Sequence, residues 1–477
     1  MVGIAAFGAY IPRLRLQRSS IAAAHGWFNP ALKGLGKGER SFAGWDEDAV
    51  TMAVEAARDC LHDRDRATIA TVLLASTTAP FADRQNAGIV KEALNLDDAV
   101  TTLDVSGSQR AGVTGLIQAL RSASAGPVLC VASEKRRARP GSEAEMTSGD
   151  AAAALLVSPE AGVAKHLADH SVSADFVDHF RAEGEEFDYG WEARWIRDEG
   201  YAKLVPQAIG GALAKAGLKG SDVDVFILPS TMRGVAEAMA KKAGIRPEAV
   251  ADALGPSVGD SGVAHPLVML AHALETAKPG ARILLAAFGS GCDAVLLERT
   301  AEAHSPTMGV SGWLKRRKAD PNYMKYLVFN GLIDIDRGMR AEFDQKQPLT
   351  ALWRNRKTVL GLVGGRCTKT GTVQFPKTDI SVNPNDRSVG TQEDYPLAER
   401  AARILTYTAD RLTYTLDPPA YYGMVEFEEG GRMNAEFCDV EPDDVEVGRP
   451  MRMMFRIKAV DEQRGFKRYF WKAAPAT

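Results

Sequence analysis

An internal repeat in the first 300 residues constrains the fold of this chain more than any other feature. LLASTT at 73–78 recurs as ILPSTM at 227–232, and VLCVAS at 128–133 recurs as ILLAAF at 283–288. Ser76 and Ser230 of the first pair are separated by the same number of residues as Ala119 and Ala273, which lie near the ends of the two following predicted helices. Short apolar strands alternating with helices indicate a parallel-rich sheet covered on both faces. We therefore predict two related βαβ halves about a pseudo-twofold axis, with two helix N-termini converging on one cleft.

The small-residue turn 106–108 (SGS), between a strand and an apolar helix, is the first candidate site. Such a turn lets the N–H groups at a helix N-terminus approach a ligand closely. A nucleophile of an acyl-transfer enzyme would stand here, but the position holds Gln109, whose amide cannot attack a substrate. In the second half, the corresponding turn contains Asp260 and is followed by His265.

Composition excludes several classes of function. The chain has 477 residues and a formal net charge of -3, so neither a nucleic acid nor a membrane surface is an expected partner. No apolar run approaches the roughly 18 residues that span a bilayer. Scattered cysteines are typical of the reducing cytoplasm rather than of a disulfide framework. The five are Cys60, Cys130, Cys292, Cys367 and Cys438.

Changes in pattern along the chain predict three regions. Residues 1–300 carry the repeat and form the α/β domain. Residues 301–350 are basic and polar and are predicted to be linking helices. Residues 351–477 contain short alternating strands with Gly, Pro and Asp turns, a pattern typical of a small barrel.

Ordered motifs in both domains resemble known families. Residues 1–300 resemble the thiolase superfamily, in particular its hydroxymethylglutaryl-CoA synthase branch, through DEDAVTMAVEAA, SGSQRAG, GDAAAALLV, DHFRAEG, SVGDSG and FGSG. Residues 310–477 resemble the zinc-ribbon and OB-fold domain that accompanies thiolase-fold acyl-CoA enzymes, through NYMKYL, GGRCTKTGTVQFP, PPAYYGMVEFEEGGR and YFWKAAP. The resemblance implies a duplicated thiolase-type layered αβαβα domain, a C-terminal β-rich OB-fold domain, a homodimer and an acyl-CoA substrate.

The sequence departs from the residues that the resemblance assigns to acyl-enzyme chemistry. Gln109 stands at the position of the nucleophilic Cys, Thr77 at that of the Glu acid/base, and Ile227 at that of the His. Asp260 replaces the Asn of the second turn, whereas Ser290 in the FGSG loop stands as expected. Because an amide offers no substitute for a thiolate, an acyl-enzyme is not expected at Gln109.

A scaffold without its nucleophile predicts carbon–carbon chemistry that needs no acyl-enzyme. The resemblance favours retro-aldol cleavage, or aldol formation, of a 3-hydroxyacyl-CoA, with an aldehyde or ketone as the second product or substrate. A base is needed on the 3-hydroxyl, and Asp260 or His265 is the candidate. Gln109, backbone N–H groups and Ser290 are the candidate donors to the enolate oxygen. The CoA thioester is expected as substrate, with no permanently bound cofactor.

Each assignment has an alternative. Gln109 is equally compatible with a neutral filler, Asp260 with a helix N-cap, and His265 with a buried structural residue. A hydroxymethylglutaryl-CoA synthase-like acyltransferase using Cys292 is the rival enzyme, although a free Cys is more often a small buried hydrophobe. A non-catalytic acyl-CoA-binding scaffold is the rival from another class.

Three minor features complete the set. In the synthase branch, the stretch containing His179 and Tyr189 covers the pocket, so both are candidate proton carriers. The basic cluster 135–137 (KRR) is a candidate contact for CoA phosphates, with a solvated loop as the alternative. The ribbon retains Cys367 but has Ser381 where a later Cys is expected, so we predict no metal.

Overall fold

The computed structural model describes residues 1–62, 64–336 and 345–476. The chain divides into two compact units. Unit 1 comprises Met1–Gly44, Asp48–Gly88 and Asp97–Leu332, and unit 2 comprises Trp45–Glu47, Ile89–Leu96 and Ile333–Thr477. Part of the predicted linking segment, 337–344, lies outside the described residues, and the boundaries at 300 and 350 stay a prediction.

Unit 1 is built from fourteen strands and a set of helices around one large mixed sheet. Its strands are β1 (Gly3–Tyr10), β2 (Leu14–Gln17), β3 (Glu39–Ser41), β4 (Thr71–Ala75), β5 (Thr101–Val105), β6 (Val128–Glu134), β7 (Ala151–Ser158), β8 (Ala164–Ser173), β9 (His179–Phe180), β10 (Tyr189–Gly190), β11 (Val225–Ile227), β12 (Arg282–Phe288), β13 (Gly291–Arg299) and β14 (Lys318–Asp320). Its helices are α1 (Arg18–His25), α2 (Ala49–Leu61), the start of α3 (Asn86–Ala93), α4 (Ala111–Ser122), α5 (Glu143–Thr147), α6 (Ala193–Trp195), α7 (Ala202–Ala216), α8 (Val235–Lys242), α9 (His265–Thr276), α10 (Gly309–Lys315) and α11 (Tyr323–Phe329).

The order of the strands reproduces the internal repeat. The nine-stranded sheet runs β11-β12-β13-β8-β1-β7-β6-β4-β5, so β4, β6, β7 and β1 of the first half match β11, β12, β13 and β8 of the second. The halves join where β1 pairs with β8 in antiparallel register, Gly3 opposite Lys165. The predicted strands at 128–133 and 283–288 fall on β6 and β12. The segments 73–78 and 227–232 begin in β4 and at the last residue of β11 and continue into the following loops, so the four segments hold matching places in the two halves.

The helices complete a layered arrangement. α2 packs on β1, β6 and β7 of the first half, and α7 packs on β8, β12 and β13 of the second. Between them, α4 and α9 contact each other and strands of both halves. This αβαβα order confirms the predicted thiolase-type layering, and it places the start of α4 close to the start of α9.

Helix α2 begins as its sequence indicates. Asp48 is the N-cap, and its Oδ1 accepts hydrogen bonds from the backbone N–H groups of Val50 and Thr51, both at 3.0 Å. A carboxylate satisfies donors that the first turn leaves free and lies favourably at the positive end of the helix dipole. The last residue of the acidic run 46–48 therefore supplies the cap of this helix.

Unit 2 contains the β-rich part of the chain. Its elements are the end of α3, α12 (Leu349–Arg354), α13 (Arg356–Leu360), β15 (Val363–Cys367), β16 (Val373–Gln374), β17 (Gln392–Pro396), β18 (Ala402–Ile404), β19 (Thr408–Asp410), β20 (Ala420–Phe427), β21 (Arg432–Glu436), β22 (Pro450–Asp461) and β23 (Phe466–Pro475). One sheet has the order β16-β15-β17 and the other β19-β20-β18-β22-β23, with β21 paired to β20. Short antiparallel strands of this kind are those predicted for the OB-fold domain.

Buried charges hold the segment Trp45–Glu47 within unit 2. Lys472 Nζ lies 2.9 Å from Asp46 Oδ2 and 3.1 Å from Glu436 Oε2. Burial by itself would lower the pKa of Lys472, but these two carboxylates raise it above its usual value. The buried cation is thus paired rather than left to lose its proton.

The ribbon strand β15 ends at Cys367, a buried thiol 3.2 Å from Thr391 Oγ1. Ser381 is buried but brings a hydroxyl rather than a thiolate. Among the described residues, no group of three or more His, Cys, Asp or Glu side chains is placed to hold a metal ion. These residues do not fit a structural zinc, which needs four ligands.

None of the helices in the described part of the chain combines the length and the apolar character needed to cross a membrane.

Asp59 on α2 is a buried carboxylate that accepts hydrogen bonds from three backbone N–H groups of unit 1. Its Oδ1 accepts from Met308 N at 2.7 Å, and its Oδ2 accepts from Ala9 N at 2.9 Å and Gly309 N at 3.0 Å. We predict that Asp59→Ala lowers the free energy of unfolding by about 3 kcal/mol, because three buried donors lose their acceptor. Urea unfolding followed by circular dichroism measures the change.

Glu160→Ala is the matched control, since Glu160 is exposed. Equal stability of the Asp59 and Glu160 variants would contradict the role given to Asp59.

Candidate active site

The turn that precedes α4 is fastened to the second half of unit 1. Ser108 Oγ donates to the carbonyl oxygen of Gly289 at 2.7 Å. Arg110 Nη1 donates to Asp293 Oδ1 at 2.7 Å, and Thr114 Oγ1 donates to Asp293 Oδ2 at 2.5 Å. Asp293 is fully buried, so this carboxylate is satisfied by α4 rather than by water. The position of Gln109 is therefore set from both halves.

Two glycines make room for Gln109. A Cβ on Gly262 would lie 2.7 Å from Gln109 Oε1, and a Cβ on Gly289 would lie 3.2 Å from Gln109 Cβ. Both glycines have positive φ, of 55° and 155° respectively, which other residues rarely adopt. The loops before α9 and after β12 thus approach Gln109 closely, as the repeat predicts for two converging turns.

A His–Asp pair faces Gln109 from a two-stranded segment. His179 on β9 donates from Nδ1 to Asp178 Oδ2 at 2.6 Å, and its Nε2 lies 3.1 Å from Gln109 Nε2. Because Nδ1 carries the proton that is donated to Asp178, Nε2 carries the lone pair and accepts a hydrogen bond from the Gln109 amide. Gln109 Oε1 is buried and has no hydrogen-bond partner among the described residues. The arrangement holds an imidazole in one tautomer with its basic nitrogen directed at the candidate site.

A double ion pair anchors the segment that carries His179, which we call the strap (residues 174–192). Asp188 lies 2.6 Å from Arg136 Nη2 and 2.8 Å from Arg181 Nη1. Arg181 also donates to the carbonyl oxygen of Thr77, in the loop after β4. Burial alone would raise the pKa of Asp188, but Arg136 and Arg181 hold it below its usual value. The strap is thereby attached to the first half of unit 1 beside Gln109.

Asp260 lies in this cluster and also performs a structural task. Its Oδ1 accepts from the backbone N–H of Gly262 at 2.6 Å, a turn contact one residue before the N-cap position, which Ser261 holds, so Asp260 is not the helix N-cap. Its charge acts on Arg136, where the nearby carboxylates raise the pKa although burial opposes them. It also acts on Tyr201, whose hydroxyl bonds to Ser230 and whose pKa burial raises above its usual value. Asp260 and Gln109 are therefore brought together.

The ring of His265 is engaged in hydrogen bonds of its own. It is buried, Nδ1 accepts from Ser261 N at 3.2 Å, and Nε2 donates to the carbonyl oxygen of Ala253 at 2.8 Å. Both ring nitrogens are used within its own loop, which matches the structural alternative. The carbonyl of Ser290 accepts from Arg110 Nη2 at 3.4 Å, and its φ of 48° shapes the turn after β12.

Neither Cys292 nor Tyr189 is directed into the site. Cys292 is fully buried on β13, its Sγ lies 3.7 Å from the carbonyl oxygen of Asp293, and burial raises its pKa. Tyr189 is 63% exposed and packs on Phe180, which faces away from His179 on β9.

The other predicted positions have structural partners. Thr77 donates its hydroxyl to Glu134 Oε1 at 3.0 Å, and burial raises the pKa of Glu134. Ile227 is buried in the core. In the basic cluster, Lys135 donates to the carbonyl oxygen of Gly44 and Arg137 to that of Gly331, so these two cations are engaged within unit 1.

Asp178, Arg181, Asp188 and Tyr201 are the site residues that sequence reasoning missed. The adjacent Asp178 and His179 were the one available signal, since a carboxylate beside a His is a common way to orient it. A cavity of about 580 Å³ lies elsewhere, and none of the site residues lines it. Its lining residues are His62, Arg64, Asp65, Ala303, His304 and Ser305.

Two family models match the chain. The model described as 3-oxoacyl-[acyl-carrier-protein] synthase III C terminal matches residues 213–298. The model described as ChsH2, C-terminal OB-fold domain, matches residues 395–456, which confirms the OB-fold.

Solved structures support the fold. 3-Oxoacyl-(acyl carrier protein) synthase III from Pseudomonas aeruginosa is 19% identical with a TM-score of 0.58, covering 64% of this chain and 99% of that one. OleA from Xanthomonas campestris, at 22% identity, has a TM-score of 0.55 and covers 62% of this chain and 98% of that one.

Curated relatives are more similar in sequence. A hydroxymethylglutaryl-CoA synthase from Aeropyrum pernix is 31% identical over 345 residues, covering 70% of this chain and 95% of the relative. Another from Archaeoglobus fulgidus is 31% identical over 340 residues, covering 69% and 98%. With a third of the aligned residues shared over nearly the whole relative, and with the layered fold described above, the chain belongs to the hydroxymethylglutaryl-CoA synthase family of the thiolase superfamily.

Proposed function

We propose that this protein catalyses aldol-type carbon–carbon chemistry on a CoA thioester without an acyl-enzyme. The substrate is a 3-hydroxyacyl-CoA that is cleaved to an aldehyde or ketone and a shorter acyl-CoA, or is formed from them. The observation that carries the proposal is the Asp178–His179 pair directed at Gln109 beside the N-terminus of α4. This pair supplies a base where the sequence lacks a nucleophile.

The choice of substrate class rests on the relatives. Those reported above are named hydroxymethylglutaryl-CoA synthase, an enzyme named for its CoA thioester product. We extend the CoA thioester, but not the particular acyl group, to this chain. The proposal includes a homodimer in the cytoplasm and no permanently bound cofactor.

The first step is removal of a proton. In cleavage, the 3-hydroxyl of the substrate takes the place of the Gln109 amide at His179 Nε2, which accepts the hydroxyl proton. Asp178 stabilises the resulting imidazolium through the Nδ1 hydrogen bond. His179, rather than Asp260 or His265, is thus the base in this mechanism.

The second step breaks the C2–C3 bond. The C3 oxygen forms a carbonyl double bond, and the bonding electron pair moves through C2 onto the thioester oxygen as an enolate. The Gln109 amide and the positive end of the α4 dipole stabilise that oxygen. Transfer to C2 of the proton that His179 took from the 3-hydroxyl gives the shorter acyl-CoA and restores the neutral imidazole, and the reverse sequence is aldol addition.

A second candidate is a hydroxymethylglutaryl-CoA synthase-like acyltransferase. The names of the curated relatives favour this activity over the aldolase. It requires a side chain that is acylated by the CoA thioester, and Cys292 was the predicted acceptor. Cys292 is buried, and its raised pKa disfavours its thiolate, so the surroundings of Cys292 favour the mechanism without an acyl-enzyme.

One experiment separates the candidates. The purified protein is incubated with acetyl-CoA, acetoacetyl-CoA and a panel of 3-hydroxyacyl-CoAs, and mass spectrometry records the small molecules and the intact protein. Carbonyl release with an unmodified protein supports the proposal. A protein mass increased by an acyl group supports the synthase-like acyltransferase, and tight CoA thioester binding without either signal supports a non-catalytic scaffold.

We predict that His179→Ala lowers kcat for carbonyl release by about 10²–10⁴-fold, the usual contribution of a positioned base. The rate of carbonyl release, quantified by mass spectrometry, is the measurement. His272→Ala, on the outer part of α9, is the control and should keep the wild-type rate. Full activity of the His179 variant would exclude His179 as the base.

We predict that Asp188→Asn lowers kcat by about 10- to 100-fold, because losing the ion pairs to Arg136, outside the strap, and to Arg181, within it, misplaces His179. Steady-state kinetics should show a smaller change in KM. Glu185→Gln is the control on the same strap, since the Glu185 side chain is exposed. Equal kcat in both variants would refute the positioning role.

We predict that Cys292→Ala leaves kcat within about twofold of wild type, because the thiol is buried and takes no part in the proposed steps. The same turnover measurement tests this, together with intact mass after exposure to acetyl-CoA. Loss of a protein adduct and of turnover in this variant would establish the acyltransferase instead.

A further inference from the structure

Five aromatic side chains form a continuous series, which we call the aromatic ladder. In order they are Trp195, Trp191, Phe176, Phe288 and Tyr201. The ring centroids of successive members lie 5.6 Å, 6.4 Å, 5.9 Å and 4.2 Å apart. These separations are those of tilted, edge-on and stacked aromatic pairs. The ladder therefore forms one continuous apolar cluster, with Phe176, Phe288 and Tyr201 in or against the core and the two indoles at the surface.

Two members of the ladder, Trp191 and Tyr201, approach the proposed catalytic pair. The backbone N–H of Trp191 donates to the carbonyl oxygen of Asp178 at 3.0 Å. Tyr201, the last member, forms a hydrogen bond with Ser230, and the negative charges of Asp178 and Asp260 contribute to raising its pKa, after burial. Polar groups are thus found where the ladder meets the site.

The outer end of the ladder is open. Trp191 is 49% exposed and Trp195 is 44% exposed, whereas Phe288 at the inner end is 7% exposed. Gly200 allows the middle of the ladder to pack, because a Cβ there would lie 2.6 Å from Phe288 and 2.8 Å from Phe176. Half-exposed indoles in contact with each other are unusual on a surface that binds nothing.

We propose that the aromatic ladder binds a flat apolar ring system, aryl or fused-ring, in the part of the substrate beyond C3. This inference rests on the proposed function and names its substrate class. A ligand that stacks on Trp191 and Trp195 removes their exposed faces from water. Continuity with Asp178 places that ring beside the carbon that His179 acts upon, and this continuity favours a substrate over a second copy of the chain.

The test measures binding with thioesters that lack the 3-hydroxyl and so cannot be cleaved. Isothermal titration of the full-length protein compares 3-phenylpropanoyl-CoA with butanoyl-CoA. We expect the aryl thioester to bind at least about tenfold more tightly. Trp195→Ala should remove most of that preference, Trp195→Phe should retain it, and the affinity for butanoyl-CoA should change by less than about twofold.

Trp27→Ala is the matched control, because Trp27 is also an exposed tryptophan, at 84%, and contacts Phe28 rather than the ladder. Equal affinity for the two thioesters, or equal losses in the Trp195 and Trp27 variants, would overturn the inference and leave the proposed function intact. Absence of binding by either thioester to wild type would overturn both.

Light scattering of the same variants measures their oligomeric state and tests whether the ladder instead contacts a second copy of the chain. If Trp195→Ala converts a dimer into a monomer and leaves the ratio of the two affinities unchanged, the ladder is an interface between copies and the inference is overturned. An unchanged oligomeric state with a lost aryl preference supports it. Binding preference without any carbonyl release would support the ladder and refute the proposed reaction.

Discussion

The buried carboxylate of Asp293 is the interaction on which the site depends. It accepts from Arg110 and Thr114 and joins α4 of the first half to β13 of the second. A buried carboxylate that lost these donors would be left unsatisfied, at a cost of several kcal/mol. These two hydrogen bonds, which we call the clamp, therefore keep the Gln109 turn against the Gly289 loop.

Small residues convert this clamp into a binding site. Gly262 and Gly289 adopt positive φ and leave no side chain between their backbone and Gln109. Larger residues would push the loops away from the N-terminus of α4. Duplication of a βαβ unit thus produces one site at the junction of its two copies, with each half contributing a turn and neither sufficient alone.

The proposed acid–base groups lie on the strap and not at the positions in the two repeated halves that the family resemblance assigns to catalysis. At the positions that the family resemblance assigns to catalysis stand Gln109, Thr77 and Ile227, and the last two are occupied in local packing. The strap instead carries His179 to the site, held by Asp188 between two arginines. A long insertion between β8 and α7 can change in this way without disturbing the sheet, because its main attachments are side-chain ion pairs.

What the sequence determined by itself was the local order: strands such as β4 and β6, the cap of α2, the repeat of the two halves and the β-rich C-terminal domain. These follow from hydrophobic periodicity and capping, which act between residues close in the chain. Only the tertiary structure decided the site. It engaged both ring nitrogens of His265 in local hydrogen bonds and brought in His179, 70 residues from Gln109 along the chain. Such a meeting depends on how distant elements pack, and no local pattern encodes it.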